Sequence, residues 1–291
     1  MHSPTDPALT AALLYPGTDG RESENYSPEN PLRSYLTAGK EHHILLLPIT
    51  GIIFAEMLIY AGHPQAGMAL HVLTVLLLSL SVMWFPESHV SRSLQALALL
   101  PILRLLNMSM PVFSGMTLDF FIFIYLPLLL PVYAVIRHQG MRLSDVGLTP
   151  RKLYIYIPLA IIAGGIIGLG ESMVINAGSL IPDLSSENLF RLSLVMILIV
   201  GFVEELIFRS LLQTRMGDSF GRLRGLLIAS LLFGIMHSGY GTFYEVLYTF
   251  SAGMVLGYMF LRTGSLPLVS LTHGFVNIFL FGLIPLLPYF K

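Results

Sequence analysis

The sequence predicts an all-α fold, a polytopic membrane helical bundle of about eight to nine transmembrane helices. Three observations predict it. The 291 residues are 54% hydrophobic and only 11% charged, whereas soluble domains average about 25% charged residues. The mean hydropathy is +0.74. The apolar residues also fall in consecutive stretches, each near the roughly 20 residues that a spanning helix needs. The net charge of −1 gives no global attraction to nucleic acid, and no nucleic-acid partner is expected. The absence of cysteine excludes a disulfide scaffold, a thiolate metal site and a cysteine nucleophile.

Residues 1–43 read as a polar cytosolic tail, rich in Pro, Ser, Thr, Asp and Glu. No basic segment followed at once by an apolar stretch is present, so no cleaved signal peptide is expected. Apolar segments then run over Ile44–Gly62, Ala66–Phe85, Ser93–Val112, Leu118–Ile136, Leu153–Asn176, Leu192–Leu212, Gly225–His237, Phe243–Leu261 and Leu266–Pro285. The seventh is short, so it either spans or is re-entrant.

Lys and Arg in the short loops set the orientation. Arg33, Lys40, Arg92, Arg137, Arg142, Arg151, Lys152, Arg215, Arg222, Arg224 and Arg262 all fall on one side of a nine-span arrangement. The other side holds only Arg191 and the terminal Lys291. The expected topology is a multi-pass protein of the cell membrane with its N-terminus in the cytosol.

The charged loop RHQGMRLSDVGLTPRK, Arg137 to Lys152, divides leading helices over 44–137 from a second set over 153–287. No repeat relates the two parts, which argues against an inverted-repeat transporter. In the leading helices Glu56 and Arg104 are expected to pair, since buried charges persist only when compensated. His71 is expected to face a neighbour or the membrane interface. Gly164, Gly165 and Gly168 point to close helix contact through small residues.

The second set carries a constellation of polar groups on apolar helices. ILIVGFVEELIFRSLLQ, Ile197 to Gln213, holds Glu204, Glu205 and Arg209; FGIMH holds Phe233 and His237; HGFVN holds His273 and Asn277. Residues at i and i+4 share a helix face, and polar groups in spans face the bundle interior. Three such faces are therefore expected to converge. Glu205 is placed to pair with Arg209 as an ionic brace. Glu204 lies about 100° around the helix and has no such partner, which suits a general base. His237 is expected to share a water with it. His273 and Asn277 supply donors one turn apart, an arrangement that suits an oxyanion. A structural role for each residue alone is the ordinary expectation. Their co-occurrence points to water attack on an amide carbonyl.

These three motifs, in this order, resemble those of the CAAX-protease and bacteriocin-processing family, the type II CAAX prenyl endopeptidases and their prokaryotic relatives. The family pattern is Glu-Glu-x-x-x-Arg, then Phe-x-x-x-His, then His-x-x-x-Asn, and all three are complete here over about residues 190–282. The resemblance implies an intramembrane glutamic protease that is metal-independent and needs no cofactor. It further implies that Glu204 and His237 activate water and that His273 and Asn277 stabilise the oxyanion. Glu205, Arg209 and Phe233 would then support the site. The implied partner is a membrane-anchored or C-terminal peptide substrate, with prenylation not established.

Two other functions are compatible with the same residues. One is a zinc protease using Glu204, His237 and His273, a carboxylate and two imidazoles being a catalytic zinc set. The other is a non-catalytic immunity, binding or transport protein of the membrane. The topology also raises a conflict. It puts Glu204 toward the cytosolic end of the sixth segment and His237 at the outer end of the seventh. Their meeting requires a tilted or re-entrant seventh helix, a sixth helix that starts deeper, or a mid-membrane site. The cavity is expected to open toward the cytosol or laterally to lipid.

Overall fold

Long runs of Leu, Ile, Val, Phe and Ala leave the backbone no water to bond to in a bilayer, so helices that satisfy their own N–H and C=O groups form. The computed structural model describes residues 42–81, 83, 85, 88–109, 117–149 and 152–287. The tail expected over residues 1–43 lies outside the described residues, apart from a 3₁₀ turn at His42–Leu45.

Among the described residues nine helical rods follow, one for each apolar segment of the sequence. They are α1 (Leu46–Tyr60), α2 (Pro64–Ser81), α3 (His89–Ser109), α4 (Leu118–His138), α5 (Leu153–Ser172), α6 (186–220), α7 (Arg222–Ile235), α8 (Phe243–Thr263) and α9 (Leu266–Leu286). Among the described residues, six helices are long and apolar enough to cross a membrane; these are α1, α2, α4, α5, α7 with its following turn to Tyr240, and α9. The other three, α3, α6 and α8, interleave more polar side chains. Many large apolar side chains face outward, among them Leu47, Leu130, Tyr154 and Ile166, as a lipid-facing surface requires. The chain is a helical membrane protein.

A continuous apolar core runs from Leu45, just before α1, to Ile278 of α9 and crosses the charged loop between α4 and α5. That loop is tied down from two sides. The Ser210 hydroxyl of α6 donates to the Val146 carbonyl at 2.7 Å, and the Leu266 amide donates to the Gly147 carbonyl at 2.9 Å. Gly147 has φ +76°, and a Cβ there would meet the Gly264 carbonyl oxygen at 2.6 Å, so the position has room only for glycine.

Two close helix approaches shape the core around α9. A Cβ on Gly164 or Gly168 of α5 would lie 2.7 Å from Thr272 O or 2.8 Å from Val276 O. The expected small-residue contact of the fifth segment is thus made against α9. On the other side, a Cβ on Gly201 of α6 would lie 2.8 Å from Ser270 O and 3.0 Å from Gly274 N. Backbone-to-backbone packing of this kind holds α6 and α9 side by side.

Candidate active site

α6 is the helix that carries the acidic pair. Its central turn, Phe202–Glu205, is α-helical, and π-helical stretches flank it at Leu194–Gly201 and Leu206–Gln213. Such wider turns recur at functional sites because they re-aim side chains within a continuous helix. Glu205 and Arg209 still meet across this stretch. Arg209 Nε donates to Glu205 Oε2 at 2.9 Å, and both side chains are fully buried. The expected ionic brace is formed. Arg209 Nη1 and Nη2 have no hydrogen-bond partner among the described residues. The guanidinium instead lies 4.8 Å from the Phe233 ring centroid, an electrostatic contact with the ring face.

The second oxygen of Glu205 has a partner outside its own helix. His273 Nδ1–H donates to Glu205 Oε1 at 2.9 Å. The opposite ring nitrogen, Nε2, sits 3.7 Å from Glu204 Oε2. Glu204 also accepts a hydrogen bond from the Tyr125 hydroxyl of α4. The two adjacent carboxylates are therefore in different settings. Glu205 is sealed between Arg209 and His273, while Glu204 borders a cavity.

That cavity has a volume of about 400 Å³. Glu204, His237, His273 and Asn277 all line it, with Tyr125, Phe120, Phe121, Phe208 and Phe281 as apolar and aromatic walls. Asn277 makes no hydrogen bond among the described residues, so its amide is open to the cavity. The structure thus brings together all four residues that the sequence placed at the chemistry. Phe233, expected in a supporting role, lies between them. Its ring centroid is 4.8 Å from that of His237, 5.8 Å from that of His273 and 5.0 Å from that of Phe208.

The depth conflict between Glu204 and His237 does not arise, for a simple reason. The sixth apolar segment ends at Leu212 in the sequence, but the helix continues to Phe220 and turns at Gly221. Glu204 is 17 positions before Gly221, and His237 is 16 after it. The two runs of chain back to Gly221 are nearly equal in number of residues, and both side chains line one cavity. His237 itself lies just beyond the end of α7. Its Nδ1 is 2.8 Å from the Phe233 carbonyl. A carbonyl only accepts, so Nδ1 carries the proton and Nε2 is left as an acceptor.

One residue at this site carries no sequence signal of its own. Tyr125 sits in the run FFIFIYL, one aromatic among several. Arg104 and Asn107 of α3 also reach the cavity, so the leading helices contribute to its lining. Glu56 and Arg104 form the expected pair, with Nε to Oε1 at 2.7 Å and Nη2 to Oε2 at 2.6 Å. His71 faces a neighbour, Glu56, at 3.0 Å.

Among the described residues, no three His, Asp or Glu side chains converge at metal-ligand spacing. No curated protein and no solved structure matches the chain. Residues 186–279, which carry both acidic residues, Arg209, Phe233, both histidines and Asn277, match the family model described as type II CAAX prenyl endopeptidase Rce1-like. The match lies within the membrane core built on α6, α7 and α9, and that region is similar to the CAAX-protease family.

Proposed function

We propose that the protein is an intramembrane endopeptidase of glutamic type that hydrolyses a peptide bond of a membrane-associated substrate. The observation that carries this reading is the shared cavity. It presents an acceptor carboxylate at Glu204, an acceptor nitrogen at His237 and donors at His273 and Asn277.

The chemistry follows from these groups. Water held between Glu204 and His237 Nε2 gives a proton to Glu204, and its oxygen attacks the carbonyl carbon. The carbonyl π electrons move to oxygen, and the resulting oxyanion takes hydrogen bonds from His273 and the Asn277 amide. Collapse expels the amine, which takes the proton back from Glu204. With Nδ1–H committed to Glu205, donation from His273 Nε2 uses the imidazolium, charge-paired with that carboxylate.

In this reading residues 153–287 form the catalytic core and the polar tail precedes the bundle on the cytosolic side of the cell membrane. The apolar and aromatic walls suit a peptide with hydrophobic side chains. Prenylation of the substrate is not part of the proposal. The test is turnover of a cleavable membrane peptide by purified protein carrying Glu204→Gln or His237→Ala. Retained turnover in both variants removes this function. Turnover that chelation abolishes supports the metal reading, and a wild type without turnover before chelation supports the non-catalytic one.

A further inference from the structure

His237 lies past the end of α7 and is tied back to it by two bonds, Nδ1 to the Phe233 carbonyl at 2.8 Å and its amide to the Gly234 carbonyl at 3.0 Å. α7 ends at Ile235, and His237 has φ −92° and ψ 8°, outside helical geometry, ahead of a 3₁₀ turn at Ser238–Tyr240. Gly239 and Gly241 follow, and Gly241 has φ +74°. A short turn with two glycines has little intrinsic rigidity. Contacts from elsewhere add to the bonds that fix its direction.

Both neighbours of His237 are fixed by one buried ion pair from the leading helices. Arg104 Nη2 of α3 donates to the carbonyl of Met236, the residue before His237. The hydroxyl of Ser238, the residue after it, donates to Glu56 Oε2 of α1 at 2.6 Å. Glu56 also takes the two Arg104 bonds and the His71 contact, so its oxygens are saturated from three helices. Glu56 and His71 are fully buried, with Ser238 2% and Arg104 5% exposed.

Stability alone does not call for this arrangement. Replacing a buried ion pair by packed apolar side chains is often neutral or stabilising. What apolar side chains cannot do is bond a backbone carbonyl and a hydroxyl on the two sides of one imidazole. We infer that Glu56, Arg104 and Ser238 are positioning residues that set the direction of His237 in the cavity, so that α1 and α3 are working parts of the site. This rests on His237 as the water-activating histidine. It extends the site to helices outside the residues 186–279 that carry the family match.

The test uses full-length protein in detergent, with Ser238→Ala and Arg104→Lys as separate variants. The first readout does not need catalysis. Protein labelled with ¹⁵N-histidine reports the protonation of each ring nitrogen, with the His237 signals assigned through His237→Gln. The wild type is expected to show a single tautomer with Nδ1 protonated, and both variants a mixture, at retained helix content. The second readout is cleavage of an internally quenched peptide. Turnover falls on the order of 100-fold in Arg104→Lys, and by less in Ser238→Ala, with KM little changed in both. His237 ring signals identical to wild type in both variants overturn the positioning role. A wild type that cleaves no peptide overturns the catalytic role of His237 instead, while its ring signals still decide whether the ion pair sets the turn.

Discussion

His273 holds Glu205 with one ring nitrogen, Nδ1 to Oε1 at 2.9 Å, and turns the other toward Glu204. Two carboxylates that are neighbours in sequence are thereby separated in role. Glu205 closes a buried Arg–Glu–His chain, and Glu204 keeps an oxygen at the cavity. Charge removal should affect them differently. Glu205→Gln leaves the fully buried Arg209 without its counter-charge, which costs about 3–5 kcal/mol. Glu204→Gln keeps shape and the acceptor for Tyr125 but loses the proton acceptor, so turnover falls about 10²- to 10⁴-fold. Thermal unfolding and peptide cleavage measured side by side separate the two. A Glu205→Gln protein as stable as wild type but inactive would reverse the assignment.

Tyr125 contributes the hydroxyl that holds Glu204 Oε1, while His273 approaches Oε2. A hydrogen bond to a charged group contributes about 1.5–3 kcal/mol. Tyr125→Phe removes it without opening a cavity. The expected result is a turnover about 10- to 100-fold lower, with an unchanged KM and little loss of stability. Steady-state kinetics of the variant check it. An unaltered turnover would mean that Glu204 is oriented by α6 and His273 alone.

Sequence and structure agree where chemistry is local and part where it is long-range. The Glu205–Arg209 brace and the His273 and Asn277 face follow from spacing on single helices. The meeting of three helices follows from the rule that polar groups in spans face inward. Tyr125 was not legible, because a tyrosine in an aromatic run has no periodic signature. The His71–Glu56–Arg104–Ser238 network was legible only as a pair, because the bond that ties it to the turn joins Glu56 to Ser238, 182 positions away. The depth of His237 was misjudged for a hydropathy reason. Thr214 to Phe220 are too polar to count as a span, yet they continue the same helix.

Chelation separates the glutamic mechanism from a zinc one. A zinc site would need Glu204, His237 and His273 as ligands, and His273 commits Nδ1 to Glu205 in any case. Peptide cleavage in metal-free buffer after EDTA treatment and dialysis should equal that of untreated protein. Loss of cleavage that added zinc restores would move the same three residues from acid–base roles to a ligand set. Elemental analysis of the active fraction provides the independent check.

The contact between Gly201 and Gly274 sets the distance between the two helices that carry Glu204 and His273. A methyl group at 201 would lie 2.8 Å from Ser270 O, 2.9 Å from Met196 O and 3.0 Å from Gly274 N. All three atoms belong to backbone, so none can swing aside, and α9 must move. Overpacking of this kind costs about 1–3 kcal/mol. The larger effect is on geometry. The 3.7 Å approach of His273 to Glu204 lengthens with the helix separation, and reacting groups misplaced by about 1 Å lose on the order of 100-fold in rate. Gly201→Ala should therefore lower turnover by more than its loss of stability explains. Gly178→Ala serves as the comparison, since a methyl there meets nothing within 4 Å, and both stability and turnover should match wild type. If Gly201→Ala folds and cleaves like the Gly178 variant, close packing of α6 on α9 is not what holds the two halves of the site together.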